Sequence, residues 1–222
     1  ALLLSFFIVD LGADVFAYIP NRFEEGYGLN QEAITEIKEH GADLIITVDC
    51  GIRALEQAKW AQEMGLDLII TDHHHAGPSL PQAAAVIDPK QPGDPYPEKD
   101  LAGVGVAYKM ACAVASQQNT VDMEAYLDLV ALGTVADIVP LVRENRALVR
   151  AGLEKMRQPS RQGVLSLIGV AGLKPERITA SDIGFGLGPR LNAAGRLDSA
   201  LRALELLITQ DVFKAGKLAQ EL

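Results

Sequence analysis

The hydrophobic pattern of the chain is of two kinds. In the first hundred residues, short continuous aliphatic runs are bounded by polar residues. Asp43-Leu44-Ile45-Ile46-Thr47 leads into Val48-Asp49-Cys50-Gly51, and Asp67-Leu68-Ile69-Ile70-Thr71 leads into Asp72-His73-His74-His75. The two runs share the sequence Asp-Leu-Ile-Ile-Thr and start 24 residues apart. A β-branched, aliphatic run of this length is the signature of a strand buried on both faces. Between them, Arg53 to Met64 has helix-favouring composition, with Ala54, Leu55, Ala58 and Ala61 on one stripe. The pattern therefore predicts strand–helix–strand, a parallel crossover unit. Residues 83–87 predict a third parallel strand, ended by Asp88-Pro89, and the alternation over Asp14 to Ile19 predicts another strand.

Upstream, residues 1–11 predict an apolar helix closed by Gly12, and Asn30 is a suitable N-cap for a helix from Gln31 to His40. Pro20 to Leu29 is a polar loop, and Lys90 to Lys99 with its prolines is another. Beyond residue 100 the spacing changes. Leu101–Ser116, Asp122–Leu132, Asn145–Met156, Gly163–Val170, Thr179–Gly186, Asp198–Ile208 and Asp211–Leu222 read as helices, and Gly188 to Arg196 as a loop. The expected fold is α/β: an open, mainly parallel sheet with flanking helices, followed by a mostly helical second half.

Composition narrows the picture. Hydrophobic residues make up 49% of the 222 positions and aromatics only 5%, so the core is aliphatic. No run reaches the roughly 18 apolar residues of a membrane span, so no membrane partner is expected. Cys50 and Cys112 are isolated, which fits a reduced cytoplasmic setting rather than a disulfide framework. The net charge of −9 excludes a wide basic grip on duplex nucleic acid within this chain. A small ligand, an anion held by a few local cations and metals, or a missing basic part remain. The chain opens in an apolar helix without a Met and ends in a helical pattern, so a piece of a longer protein is expected.

The candidate chemistry lies where the strands end. Ligands of open parallel sheets bind outside the carboxyl ends of the strands. Asp49 and Asp72-His73-His74 should emerge there side by side. Carboxylate oxygen and neutral imidazole nitrogen together suit Mn²⁺, Zn²⁺ and Fe²⁺. The bland readings are a solvated polar loop for the histidines and a turn-former before Gly51 for Asp49. Successive residues of an extended segment face opposite ways, so one of His73 and His74 would hold metal and the other meet substrate unless the loop turns. Asp137 follows a helix in an apolar segment, as a ligand or as a helix-end cap. Arg190, Asn192 and Arg196, on a segment rich in small residues, suit phosphate, since guanidinium forks match its oxygens. A surface loop with Arg–Asp pairs is the alternative. His40 reads as a cation at a helix C-terminus, Cys50 as a small buried hydrophobe, and Trp60 and Tyr108 as core. Metals with anion-binding arginines point to metal-assisted attack of water on a phosphoester.

At these residues the chain resembles the DHH phosphoesterase superfamily, and within it the branch of single-strand-specific exonucleases. The resemblance rests on Phe23-Glu24-Glu25-Gly26-Tyr27-Gly28, Val48-Asp49-Cys50-Gly51, Asp72-His73-His74, Gly133-Thr134-Val135-Ala136-Asp137 and Gly188-Pro189-Arg190-Leu191-Asn192-Ala193-Ala194-Gly195-Arg196. It runs over essentially the whole chain in the family's order. It implies a two-metal Mn²⁺ (or Mg²⁺) site and degradation of single-stranded DNA from the 5′ end to mononucleotides in repair and recombination. A repair helicase and a single-strand-binding protein are implied as partners. Carried over by motif, Asp49, His73, His74 and Asp137 would be metal ligands. Asp72 would orient a histidine or touch metal, and Arg190, Asn192 and Arg196 would bind phosphate. The family's Asp-x-Asp-Gly segment is expected upstream of Ala1. Residues 1–205 would then be a catalytic domain lacking that motif. Residues 206–222 would begin a linker helix toward a nucleic-acid-binding domain. Two rivals stand beside this reading. One is a phosphodiesterase of short oligonucleotides or cyclic dinucleotides, and the other is an inactive scaffold relative.

Overall fold

The computed structural model describes residues 1–20, 28–118, 121–193 and 197–222. The chain divides into two compact units, Leu3–Asn119 and Thr120–Leu222. Of the motif Phe23 to Gly28, residues 23–27 fall outside the described residues.

The first unit is built on three parallel strands, β1 (Leu44–Val48), β2 (Asp67–Thr71) and β3 (Ala85–Ile87), in that order across the sheet. Val48 pairs with Thr71 and Thr71 with Ile87, so the strands end level with one another. Helix α1 (Leu2–Asp10) buries Leu3, Leu4 and Phe7. Gly12, just beyond it, takes a φ of 87°, the left-handed conformation expected of a closing glycine. Helix α2 (Gln31–Glu39) is capped by Asn30, whose side chain accepts the Ala33 N–H at 2.7 Å. His40 closes it, donating from Nδ1 to the Glu36 carbonyl at 2.8 Å. Helix α3 (Leu55–Glu63) crosses from β1 to β2 and buries Ala58 and Ala61, whereas Leu55, expected on the same stripe, is 41% exposed. Ile34, Ile37, Ile45, Leu66, Leu68 and Ile70 complete this core, with Trp60 packed against it. Helix α4 (Gly103–Gln118) follows the proline-rich loop and buries Tyr108.

One expected strand is not formed. Residues 14–19 are irregular, and none of them is fully buried. A strand exists only by its ladder, and among the described residues the sheet consists of β1, β2 and β3 alone.

The second unit is helical, as the spacing predicts. A 3₁₀ turn (Met123–Tyr126) leads into α5 (Leu127–Ala136), which buries seven of its residues, Thr134 among them. Helices α6 (Arg143–Arg157), α7 (Gln162–Val170), α10 (Leu197–Ile208) and α11 (Val212–Glu221) pack around a core that includes Met156, Leu167, Ile168, Ile183, Leu187, Leu206 and Leu218. Arg161 pairs with the buried Asp128 at 3.1 Å and lies over the Tyr126 ring. The 205/206 division expected from the sequence falls within α10, and α11 packs on α7.

The cap expected at Thr179 is formed, and the departure lies beyond it. Thr179 and Asp182 form a capping box on a single turn, α8 (Ala180–Asp182). The helix then widens into a π-turn, Ile183–Leu187, and runs on into α9 (Gly188–Ala193). The expected loop over Gly188–Arg196 is thus helical over its first six residues. Gly188 sits at φ −57° and ψ −50°, ordinary helical values, so nothing interrupts the spiral there.

Among the described residues no helix is long and apolar enough to cross a membrane.

Candidate metal centre

The three strand ends set the site. One residue past the level Val48–Thr71–Ile87 register stand Asp49, Asp72 and Asp88, in line along the carboxyl edge of the sheet. The ladder continues into them: Asp49 N–H donates to Thr71 O at 3.0 Å, and Asp72 N–H donates to Ile87 O at 3.1 Å.

Asp49 leaves its strand at φ 65°, a left-handed conformation that aspartate tolerates better than most residues. Gly51 follows at φ 110°. This reversal turns Cys50 O back onto the Thr47 hydroxyl, which donates to it at 2.8 Å. It also aims the Ile52 N–H at Asp72, whose Oδ2 accepts it at 2.9 Å.

Asp72 is 1% exposed, and both its oxygens accept hydrogen bonds. Besides Ile52, it takes the His73 N–H at 2.7 Å, the His74 N–H at 3.2 Å and His74 Nδ1 at 2.7 Å, all on Oδ1. Burial alone would raise its pKa, but these hydrogen bonds outweigh it and hold the carboxyl below the usual range. An ionised carboxylate only accepts, so His74 carries its proton on Nδ1 and its Nε2 lone pair is open. The bonds from consecutive N–H groups to one oxygen make the loop turn at His73. The two imidazoles therefore do not diverge as they would on an extended segment. Their centroids are 4.6 Å apart, ring edge to ring face.

His73 is 6% exposed, and its Nε2 lies 2.9 Å from Asp49 Oδ1. One ligand atom each from Asp49, His73 and His74 falls within 4.8 Å of the others. Two imidazole nitrogens and a carboxylate oxygen at that spacing are a donor set for a divalent transition metal. The pairing of Asp49 with the two histidines, expected from the repeated strands, is thus formed. Cys50, beside Asp49, does not join it. Its thiol is pushed up to about 11, first by burial and then by Asp72 and Asp49.

Asp88 was not foreseen as part of this edge. It is 1% exposed; Oδ1 accepts the Lys90 N–H at 2.7 Å, while Oδ2 is buried with no hydrogen bond among the described residues. Burial raises its pKa above the usual range. The register of β3 is the signal that finds it, and three residues of strand are too few to fix register from sequence.

The remaining expected site residues belong to the second unit. Asp137 is exposed and is the C-cap of α5, its N–H donating to Gly133 O at 3.0 Å. The cap reading accounts for its backbone but not its charge, because a carboxylate opposes the negative end of the helix dipole. The next residue, Ile138, is 88% exposed at φ 61°, a strained state for a β-branched side chain. Arg190 is half-buried and Asn192 exposed, two positions apart on α9, so they leave the helix on different sides. Arg196 lies outside the described residues.

Residues 1–134 match the family described as "DHH family, N-terminal domain". The chain is 50% identical over 212 residues to the single-stranded-DNA-specific exonuclease RecJ of Bacillus subtilis, covering 96% of this chain and 26% of that protein. It is 43% identical over 216 residues to the RecJ of Escherichia coli, covering 92% and 37%. The chain therefore spans well under half the length of these relatives. Among solved structures, exonuclease RecJ bound to manganese superposes with a TM-score of 0.89 at 38% identity, covering 99% of this chain and 55% of that one. RecJ of Thermus thermophilus in complex with Mn²⁺ gives 0.85 at 35% identity, covering 99% and 31%. With the Asp72-His73-His74 turn at the end of β2, facing the aspartate that ends β1, the chain belongs to the DHH family.

Proposed function

We propose that the chain is the metal-holding part of a RecJ-type exonuclease, a phosphodiester hydrolase that degrades single-stranded DNA from the 5′ end to mononucleotides. The observation that carries this reading is the meeting of Asp49, His73 and His74 donor atoms within 4.8 Å of one another. The names of the relatives support the substrate, and the Mn²⁺ in two similar structures supports the cofactor.

The donor set fits such a cation. Imidazole nitrogen suits Mn²⁺ better than Mg²⁺, which prefers an all-oxygen shell. Bound divalent cations lower the pKa of a coordinated water and neutralise charge on phosphoryl oxygens. The chain's own part is to hold and orient. Asp49, His73, His74 and Asp137 are the proposed ligands. Asp72 fixes the His74 tautomer and the turn that brings both rings together, the role of a carboxylate behind a metal-binding histidine. Arg190, Asn192 and Arg196 are the proposed phosphate contacts. A repair helicase and a single-strand-binding protein are the proposed protein partners. The two free cysteines suit a cytoplasmic setting.

The test is a calorimetric titration of Mn²⁺ together with an assay on a 5′-labelled single strand. We expect Mn²⁺ binding by the chain, Mn²⁺-dependent release of mononucleotides by the full-length protein that carries it with at most weak activity of these 222 residues alone, and loss of that release by at least about a hundredfold in His73→Ala. Unchanged activity in His73→Ala would overturn the assignment of the site. A strong preference for a dinucleotide over a long strand would replace the exonuclease by a short-oligonucleotide phosphodiesterase.

A further inference from the structure

Helix α4 starts at Gly103, and its first residue stands against Asp49. A Cβ placed on Gly103 would lie 2.5 Å from Asp49 Oδ1 and 2.8 Å from its Cβ and Cγ. Real side chains do not approach so closely, so any other residue at 103 would push the Asp49 carboxylate away. The backbone at Gly103 does not require glycine. It is absent from the glycines with positive φ, and it is helical, a conformation alanine adopts more readily. The absent side chain is therefore a matter of space. The neighbour it spares is not a flexible chain end. Asp49 is held at φ 65°, its N–H is bonded to Thr71 O, and its Oδ1 faces His73 Nε2 at 2.9 Å.

We propose that Gly103 is a positioning residue of the metal centre: its bare α-carbon lets the start of α4 close on Asp49 and hold the carboxylate against His73. This rests on the reading of Asp49, His73 and His74 as ligands of a divalent cation. Gly105 provides the comparison within the same helix. A Cβ there would meet Leu101 Cδ2 at 3.3 Å, the movable end of a side chain.

The experiment measures Mn²⁺ affinity by calorimetry, and the melting midpoint in chelator, for the unaltered chain, Gly103→Ala and Gly105→Ala. The expected result is a loss of Mn²⁺ affinity of about 10- to 100-fold in Gly103→Ala, the range seen when support behind a ligand is removed. Crowding against Asp49 also lowers its chelator midpoint, so the affinities are compared at a temperature where all three chains are folded. Gly105→Ala should bind Mn²⁺ as the unaltered chain does. Two results would overturn the proposal: full Mn²⁺ affinity in Gly103→Ala, or equal losses of affinity in both variants. If the unaltered chain binds no Mn²⁺, the metal reading itself fails and this inference goes with it.

Discussion

Asp72 is the residue on which the strand-end geometry depends, and its role is separable from ligation. Its carboxylate satisfies three backbone N–H groups and one imidazole. Hydrogen bonds to a charged acceptor are worth about 1.5–3 kcal/mol each, and orphaned buried donors add a penalty. Asp72→Ala should therefore cost on the order of 3 kcal/mol or more, measured by urea unfolding in chelator so that metal makes no contribution. A loss below about 1 kcal/mol would mean that water replaces the carboxylate without difficulty. Asp72 and Asp88 also titrate in opposite senses. Asp72 has a lowered folded pKa, so it contributes stability above the ordinary carboxylate range that is lost as pH falls through its lowered value. Asp88 has a raised folded pKa, so the folded state takes up a proton before the unfolded chain does, and stability from this group rises as pH falls through that window. At pH 7 the Asp88 charge is a burial cost with one oxygen lacking a hydrogen bond. Asp88→Asn in chelator should leave the melting midpoint at pH 7 unchanged or higher, with a weakened dependence on acid pH. A clear drop at pH 7 would show that its charge is needed.

Helices and strands differ in how far local pattern specified them. The repeated Asp-Leu-Ile-Ile-Thr runs became β1 and β2 because burial on both faces leaves a continuous aliphatic signature, and the polar residues that end them are where chain direction changes. The segment at 14–19 alternates instead and has no ladder, and pairing is a long-range event that alternation does not encode. Asp49, His73 and His74 were legible from motif and strand ends, although the turn that makes both rings converge depends on bonds to Asp72. Gly103 was not legible, because its reason is a contact with a residue 54 positions away in the sequence. The same holds in α7. A Cβ on Gly163 would lie 1.9 Å from Leu206 O, backbone of α10, whereas one on Gly169 meets nothing within 4 Å. The two glycines look alike in sequence and should respond oppositely to alanine. Gly169→Ala should stabilise by about 0.5–1 kcal/mol through helix propensity. Gly163→Ala should destabilise by about 2–3 kcal/mol, as overpacking against unyielding backbone does. Chemical denaturation of the two variants in parallel decides it, and a loss in both would mean that α7 tolerates no added methyl.

At the scale of the whole chain, charge constrains how the proposed substrate is held. Lys and Arg number 20 against 29 Asp and Glu, a net −9. A single strand approaching this surface is repelled on average, so attraction must come from a few local groups and from bound cations. Each phosphate neutralised by a protein cation contributes about 0.7 to the steepness of the decline of log affinity with log salt on single strands. Two or three guanidinium contacts of the Arg190 and Arg196 kind then give a steepness of about 2 or less. Anisotropy of a labelled, cleavage-resistant phosphorothioate strand, titrated at several salt concentrations with Mn²⁺ present, measures this directly. We expect that shallow dependence, and a marked loss of affinity when Mn²⁺ is chelated, because the exposed Asp49 carboxylate then faces phosphate without an intervening cation. A steepness near 5 would require about seven phosphate contacts. A footprint that wide needs a basic face, and it would put the main grip on the substrate outside these 222 residues.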